Sequence, residues 1–281
     1  MRVRMKLKMK TLIILLFCSI GLLSTVAIIQ RDKKTSTLFS WSIEDKTEKL
    51  IDNYQKPLNI NRIFQYIHPN EFIDGTLTSY ISEINNHNVS VYAMDGGYYW
   101  GTTDYGYEEL TDFVDQVAEF NSIHDNELVR EGIVFDVEPA QDENWNNSES
   151  ELMKHYVDNM LKAYEYASSK GLKVVVCITY WYDEKHLAEL RRLIKNGCDE
   201  VAVMNYYRGK EIDHIKTEVA IAKEYNKPLM TIFEFDKPDN KVIFDQNTYY
   251  YQGPDAAQIV FEEIDDYFKY DKLTAGWRQL K

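Results

Sequence analysis

The chain has 281 residues, of which 44% are hydrophobic and 27% charged, and this composition excludes a collagen-like, low-complexity or disordered protein. The formal net charge of −13 is the sum of two regions with opposite net charge. Residues 1–34 carry eight basic residues and one acidic residue, or +7, so residues 35–281 carry −13 − 7 = −20. Because so acidic a surface repels phosphate backbones, nucleic acid is not expected as a partner.

The first 34 residues predict an export signal. Five basic residues precede an uncharged run at positions 11–29, and further basic residues follow it. The run has about the length that spans a hydrocarbon core, while Thr25-Val26-Ala27 offers a small-residue cleavage site. A cleaved signal peptide and a membrane anchor with basic flanks both stay open. In either case we expect residues 35–281 outside the membrane, secreted or held at the cell surface by the uncleaved segment.

Eight short apolar or aromatic runs follow, separated by amphipathic segments with helical spacing. The predicted strands cover 38–41, 62–67, 89–94, 133–137, 173–179, 200–205, 228–233 and 273–277. Near-continuous apolar strands that alternate with helices predict an α/β fold, a (β/α)₈ TIM barrel formed as one domain by residues 35–281, with its last helix missing. The alternative, an open doubly wound sheet, usually has a glycine-rich first turn that this sequence lacks.

Cysteine and histidine spacing favours no metal site. Cys177 and Cys198 are not spaced as metal ligands, and the six histidines form no HxH or HExxH pattern. We therefore expect two buried free thiols and no metal ion.

Carboxylates follow predicted strand four at the end where the site of a TIM barrel forms. Asp136 and Glu138 are two residues apart, so both side chains point to the same face of the strand. Crowding and burial raise the pKa of one of two close carboxyls, which makes Glu138 a candidate general acid. The alternative is a structural ion pair with Arg130, Arg208 or Arg278.

Aromatic residues also gather where predicted strands end. The clusters are Tyr98-Tyr99-Trp100, Tyr180-Trp181-Tyr182, Tyr206-Tyr207 and Tyr249-Tyr250-Tyr251. Aromatic rings at such positions either cover the core or, beside polar groups, bind the apolar faces of sugars.

Four motifs in the same order resemble glycoside hydrolase family 18, the chitinase and endo-N-acetylglucosaminidase family of TIM barrels, over most of residues 38–281. Residues 132–139, GIVFDVEP, resemble the second half of its DxxDxDxE signature. Met94-Asp95-Gly96-Gly97 resembles its SxGG motif, Met204-Asn205-Tyr206 resembles the start of its MxYD motif, and Trp277 falls where the family places a tryptophan under the −1 sugar. The chain departs from these motifs at Met94, Glu131, Val134 and Tyr207.

The resemblance implies a substrate-assisted retaining hydrolase of N-acetylglucosamine-containing glycans, either chitin-type chains, peptidoglycan or N-glycans, which needs no cofactor. Glu138 would protonate the glycosidic oxygen, Asp136 would orient the substrate's 2-acetamido group, and Tyr206 would hydrogen-bond the acetamido oxygen. We expect a monomer whose partner is this glycan. The expected substrate-binding residues are Gly96, Gly97, Trp100, Trp181, Met204, Asn205, Tyr207, Glu234 and Trp277.

Two other functions stay open. A retaining glycosidase could use Glu138 as acid and Glu234 as nucleophile, since such pairs lie about 5 to 5.5 Å apart. A catalytically inactive glycan-binding barrel is suggested by the replacement of two signature aspartates with Val134 and Tyr207.

Overall fold

The computed structural model describes residues 34–43, 51, 57–124 and 132–278. The predicted signal or anchor segment, Arg130 and Glu131 lie outside these residues. Within the described part of the chain, no helix is long and apolar enough to cross a membrane.

Eight parallel strands close into a barrel in sequence order, and β1 pairs with both β2 and β8. The strands are β1 Ser36–Ser40, β2 Arg62–Tyr66, β3 Ser90–Asp95, β4 Gly132–Phe135, β5 Lys173–Thr179, β6 Glu200–Met204, β7 Leu229–Glu234 and β8 Leu273–Arg278. The predicted TIM barrel is therefore confirmed, with predicted strand bounds that differ from the structure by at most two residues.

Helices connect the strands. They are α1 Thr76–Asn85, α2 Tyr98–Thr102, α3 Gly106–Ile123, α4 Trp145–Ser169, α5 Tyr182–Asn196, α6 Glu211–His214, α7 Lys216–Tyr225 and α8 Gly253–Phe268. Their buried residues recur with helical spacing, as Leu77, Ile81 and Ile84 do in α1, which places one apolar face of each helix on the sheet. Helix α8 precedes β8, and no helix follows β8 among the described residues.

The strands separate two apolar cores because successive side chains point to opposite faces. In β5, Val174, Val176 and Ile178 face the helices, whereas Val175 and Cys177 face the barrel interior. Both faces are buried, which explains why the strands are apolar almost throughout. Cys177 and Cys198 are both free and buried, as expected.

An ion pair crosses the barrel interior near the N-terminal ends of the strands. Arg62 donates from its two terminal nitrogens to the two carboxylate oxygens of Glu200, each at 2.7 Å, and its Nε donates to Thr37 Oγ1 at 2.9 Å. The guanidinium also lies 4.7 Å from the ring centroid of Phe64. We call Arg62 and Glu200 the floor pair; it is a packed structural layer at the end of the barrel opposite the expected site.

Candidate active site

Strands β3 and β4 come very close at the C-terminal end of the barrel. The Asp136 N–H donates to the Asp95 carbonyl at 3.0 Å. A Cβ atom at position 96 would lie 2.2 Å from the Asp136 carbonyl oxygen, so only glycine fits there without moving the end of β4. At position 97 a Cβ would instead meet the Tyr99 ring at 2.8 Å. The two glycines thus bring the end of β3 against the acidic end of β4.

A cavity of about 230 Å³ opens at this end of the barrel. It is lined by Trp41, Tyr66, Met94, Asp95, Gly96 and Asp136. Two aromatic side chains and two carboxylates therefore surround one space, a composition that suits a ligand with both apolar faces and hydroxyl or amide groups.

Asp136 lines this cavity, and Glu138 interacts with Asp136 electrostatically; both residues follow the end of β4. Burial and the charge of Glu138 raise the pKa of Asp136, Arg278 and a hydrogen bond with Cys177 lower it, and the net result is a pKa of about 6. Glu138 follows β4 at the start of the short 3₁₀ helix Pro139–Gln141 and is half-buried. A carboxyl pair with one member titrating near neutrality can hold and release a proton at physiological pH.

Asp95 is a second, half-buried acid of the cavity. Burial raises its pKa to about 6, although its Oδ1 accepts a hydrogen bond from the Gly96 N–H at 2.7 Å. Asp95 belongs to the Met94–Gly97 motif, and its position in the cavity lining makes it an additional candidate for substrate contact.

A second arginine–glutamate pair lies at the mouth. Arg278 is bonded to Glu234 Oε2, and the Glu234 Oε1 accepts from the backbone N–H groups of Phe235 at 2.8 Å and Asp236 at 2.7 Å. The Arg278 guanidinium carbon lies 5.1 Å from the Trp41 ring centroid and 5.9 Å from that of Tyr206. We call Arg278 and Glu234 the mouth pair.

Two polar atoms beside the mouth pair are buried without a hydrogen-bond partner among the described residues: Trp41 Nε1 and the Tyr206 hydroxyl. Burial raises the pKa of Tyr206 well above its usual range, so its hydroxyl keeps its proton. Because buried donors are nearly always hydrogen-bonded, these two N–H and O–H groups are available to an acceptor on a bound ligand.

The expected role of Trp277 in substrate binding is wrong. Its side chain is 0% exposed, stacks on Phe233 at 5.3 Å between ring centroids and donates from Nε1 to Ser36 Oγ at 2.6 Å. Alternation along β8 places Trp277 on the helix side and its neighbour Arg278 on the interior side. The aromatic ring that lines the cavity is that of Trp41.

Asn205 and Trp100, which were also predicted to bind substrate, do not face the cavity. Asn205 is buried and donates from Nδ2 to the Glu211 carbonyl at 2.9 Å and to Thr231 Oγ1 at 3.2 Å, so it ties β6 to its neighbours. Trp100 is buried in the outer core, 6.1 Å from Phe113 between ring centroids. Both side chains pack toward the surrounding helices and away from the mouth.

Glu234 is at the mouth but is not free to contact substrate. Both its oxygens are already bonded, to Arg278 and to two backbone N–H groups, and its side chain is 2% exposed. Burial raises its pKa, and these hydrogen bonds oppose that rise. The alternative of a salt bridge from the Asp136–Glu138 pair to Arg278 or Arg208 is not seen among the described residues: Arg278 bonds Glu234 and Arg208 bonds Asp245.

The other predicted positions lie around the same end of the barrel. Gly96 lines the cavity, and Met204 belongs to the interior layer below it. Trp181 and Tyr207 are partly exposed in the connections after β5 and β6, where Trp181 packs edge-on against Tyr182 and Tyr207 against His214. Gly97 starts α2.

Five described residues in or beside the cavity were not predicted as site residues: Trp41, Tyr66, Met94, Asp95 and Arg278. The alternation of side chains along β8 indicates that Thr274, Gly276 and Arg278 share one face of the strand, so Arg278 could have been considered for the site. The sequence of β8 alone does not determine which of its faces points into the barrel. That depends on how β8 pairs with β1 and β7.

No protein-family model matches the chain, and no curated protein matches it. Solved structures do match. A chitinase from Bacteroides thetaiotaomicron is 10% identical with a TM-score of 0.53, over 86% of this chain and 89% of that one. A chitinase from Rhizomucor miehei is 14% identical with a TM-score of 0.50, over 89% of this chain and 95% of that one.

The neighbours also include a xylose isomerase domain protein from Planctomyces limnophilus, 11% identical with a TM-score of 0.54 over 87% of this chain and 88% of that one. The shared fold is the TIM barrel. Chitinases are among its structural neighbours, in agreement with the resemblance seen in the motifs. At such low identity the likeness concerns the fold alone, and the chemistry has to be argued from the site.

Proposed function

We propose that the protein is an exported glycoside hydrolase that acts on N-acetylglucosamine-containing glycans, with Glu138 as its general acid. The observation that carries this proposal is the Asp136–Glu138 pair at the barrel mouth, beside a cavity with aromatic walls. Chitin-type chains, peptidoglycan and N-glycans all contain the required sugar.

In the proposed reaction, Glu138 transfers its proton to the glycosidic oxygen as the bond from that oxygen to the anomeric carbon breaks. The carbonyl oxygen of the substrate's own 2-acetamido group forms the new bond to the anomeric carbon, as in the substrate-assisted exceptions to the two-carboxylate scheme. Water then opens this cyclic intermediate and gives its proton to Glu138. The reaction needs no cofactor.

The mouth offers partners for the acetamido group. Asp136, whose pKa is about 6, is largely ionised at neutral pH and can accept the hydrogen bond of the acetamido N–H while positive charge develops there. The unpaired Tyr206 hydroxyl can donate to the acetamido oxygen. With Trp277 in the outer core, Trp41 is the indole available to the sugar ring.

The test compares the chain with its Glu138→Gln variant on N-acetylglucosamine oligomers and on peptidoglycan, with product release as the measurement. We expect turnover to fall roughly 10²- to 10⁴-fold, because the amide cannot donate the proton. Glu151→Gln, on the exposed side of α4, is the matched control and should keep full activity. Unchanged turnover in Glu138→Gln would overturn the assignment of the acid.

The retaining mechanism with Glu234 as nucleophile fits less well. A nucleophilic carboxylate needs a free oxygen directed at the anomeric carbon, whereas both Glu234 oxygens are occupied. The inactive glycan-binding barrel has its own support in the uncharged Val134 and Tyr207. Saturable binding of N-acetylglucosamine oligomers without products from the unaltered chain would favour that function.

Export is part of the proposal and rests on the basic-flanked run at positions 11–29. Expression of the full chain in a bacterium followed by fractionation should place the barrel in the medium or on the outer face of the membrane. Recovery in the cytosolic fraction alone would contradict export.

A further inference from the structure

The connection between β7 and α8, residues 235–252, carries an exposed apolar surface at the mouth end of the barrel. Eleven large hydrophobic residues are exposed in the described part of the chain, and four of them lie in this one connection: Val242, Phe244, Tyr250 and Tyr251. The reaction proposed above uses none of them. We call residues 235–252 the tyrosine loop.

Hydrogen bonds within the tyrosine loop fix its backbone. The Asp239 carboxylate accepts from three successive backbone N–H groups, each at 2.9 Å, those of Lys241, Val242 and Ile243. Nearer to α8, Thr248 Oγ1 donates to the Asp236 carbonyl at 2.8 Å and accepts from the Tyr250 N–H at 3.0 Å. Exposed rings on a fixed backbone lose little conformational freedom on binding, which favours a role in recognition.

Hydrogen bonds also join the tyrosine loop to residues of the mouth. The Asn247 Nδ2 donates to the Tyr206 carbonyl at 2.7 Å, and the Tyr249 N–H donates to the Glu234 carbonyl at 2.7 Å. Glu234 belongs to the mouth pair, and Tyr206 lies beside it. The loop is therefore continuous with the candidate site, and its two exposed tyrosines follow directly after these anchored residues.

The cavity and the tyrosine loop lie on different sides of the mouth. The cavity is lined by residues at or just after the ends of β1 to β4, whereas the loop follows β7. In a closed barrel of eight strands, β3 and β7 are opposite each other. A glycan with one sugar in the cavity and further sugars extending across the mouth pair comes to the loop. Only a chain of several sugars can contact both.

Tyr250 and Tyr251 have the chemistry that binds a sugar. They are 41% and 66% exposed, and their ring centroids lie 5.0 Å apart with the ring planes at 85°. A tyrosine combines apolar ring faces with a hydroxyl group, which matches the apolar C–H faces and hydroxyl groups of a sugar. An anionic lipid surface fits less well, because residues 35–281 are strongly acidic.

We propose that Tyr250 and Tyr251 form an outer sugar-binding subsite, which makes the protein selective for glycan chains of several sugars over disaccharides. This inference rests on the proposed hydrolase function and deepens it, because it sets a minimum length for the preferred substrate. The tyrosines bind the chain away from the reacting bond and contribute equally before and during the reaction. Such a contact lowers KM for long chains and leaves kcat unchanged.

The first test measures binding in the full chain with Glu138→Gln, so that hydrolysis does not interfere. Calorimetric titration with the hexamer and the dimer of N-acetylglucosamine should give a lower Kd for the hexamer. Adding Tyr250→Ala/Tyr251→Ala should raise the hexamer Kd about tenfold, because aromatic contacts are lost, and leave the dimer Kd unchanged. Adding Tyr250→Phe/Tyr251→Phe keeps both rings and should keep most of the hexamer affinity.

Tyr267→Ala is the matched control for this test. Tyr267 is also an exposed tyrosine, but it lies near the end of α8 that is farther from the mouth, so neither Kd should change. The proposal is overturned if the hexamer binds no more tightly than the dimer, or if the alanine variant keeps full hexamer affinity. An equal loss of affinity for dimer and hexamer would also overturn it, because the change would then lie in the mouth itself.

The second test compares kcat and KM on the same two oligomers with Glu138 intact. The alanine variant should raise KM for the hexamer, with kcat and both dimer parameters unchanged. If no chain releases products but the alanine variant loses hexamer affinity, the proposed hydrolase function fails and the outer subsite stands. If products form and the two tyrosines affect neither Kd nor KM, the hydrolase function stands and the outer subsite fails.

Discussion

The barrel encloses two arginine–glutamate pairs, one at each end, and they are built differently. The floor pair of Arg62 and Glu200 is bidentate, with side chains 8% and 10% exposed, and its arginine is also bonded to Thr37. The mouth pair of Arg278 and Glu234 shares one bond between the residues and leaves its arginine partly open.

This difference suggests that the floor pair has a structural role, whereas the mouth pair has a role in ligand binding. At the floor each charge is fully satisfied within the protein, so the pair joins β2 to β6 across the interior and has no capacity left for a ligand. At the mouth, unpaired donors of Trp41 and Tyr206 surround an incompletely bonded arginine. Buried donors without hydrogen-bond partners lower the stability of the unliganded protein. They are expected where a bound substrate supplies the missing acceptors.

The largest effect is expected from breaking the floor pair. Arg62→Met leaves Glu200 as an uncompensated buried charge, which should lower the free energy of unfolding by about 3–5 kcal/mol. Urea denaturation measures this loss. The double variant Arg62→Met/Glu200→Met removes both charges and should recover most of it. A single variant as stable as the unaltered chain would show that the floor pair is not a structural layer.

Glu218 extends the comparison of the floor and mouth pairs, because it is a buried glutamate without an arginine partner among the described residues. Glu218 in α7 is 0% exposed, its carboxyl oxygens have no partner among the described residues, and burial raises its pKa to about 8. The folded state keeps this proton while the unfolded chain loses it above its ordinary pKa of 4.5, so stability should fall as pH rises from about 4.5 to 8.

Glu218→Gln removes this dependence. At pH 8 we expect it to be more stable than the unaltered chain by a few kcal/mol, with little difference near pH 4. Urea denaturation at both pH values measures it, and Glu263→Gln, on the exposed side of α8, is the control. Equal stability of the two chains at pH 8 would show that Glu218 is solvated in the folded state.

Breaking the mouth pair should cost less stability than breaking the floor pair. Glu234→Gln keeps an acceptor for the two backbone N–H groups, and Arg278 can reach water, so we expect a loss of about 1–2 kcal/mol in the free energy of unfolding. Activity on N-acetylglucosamine oligomers should fall at the same time. A loss of stability as large as that of Arg62→Met, measured by the same urea experiment, would mean that both pairs are structural.

The smallest effect is expected at the rim, where Arg208 bonds the exposed side chain of Asp245 at 2.6 Å. Asp245→Asn should change the free energy of unfolding by no more than about 0.5 kcal/mol, because exposed ion pairs are screened by water and salt. Arg208 also donates to the Asp245 carbonyl, a bond that the substitution keeps. Urea denaturation at low and high salt measures the change, and a loss above about 1 kcal/mol would contradict this prediction.

The two-residue spacing predicted that Asp136 and Glu138 share a face, whereas the family resemblance assigned Trp277 to the site. For Asp136 and Glu138, the two-residue spacing alone puts both carboxyls on one face, whichever face that is. The resemblance implied that Trp277 faces substrate, but β8 has an aromatic residue on one face and an arginine on the other. Pairing with β1 and β7 placed Arg278 inside and Trp277 outside.

The sequence by itself determined the barrel and the acidic end of β4, because both depend on local patterns: apolar strands that repeat between amphipathic helices, and two carboxyls at a spacing of two. Tertiary structure decided what surrounds those carboxyls. Trp41 follows β1, Tyr206 follows β6 and Arg278 ends β8, and only closure of the barrel brings them together. Which charges and rings meet across the interior depends on strand register and barrel closure, and neither is contained in any one segment of the chain.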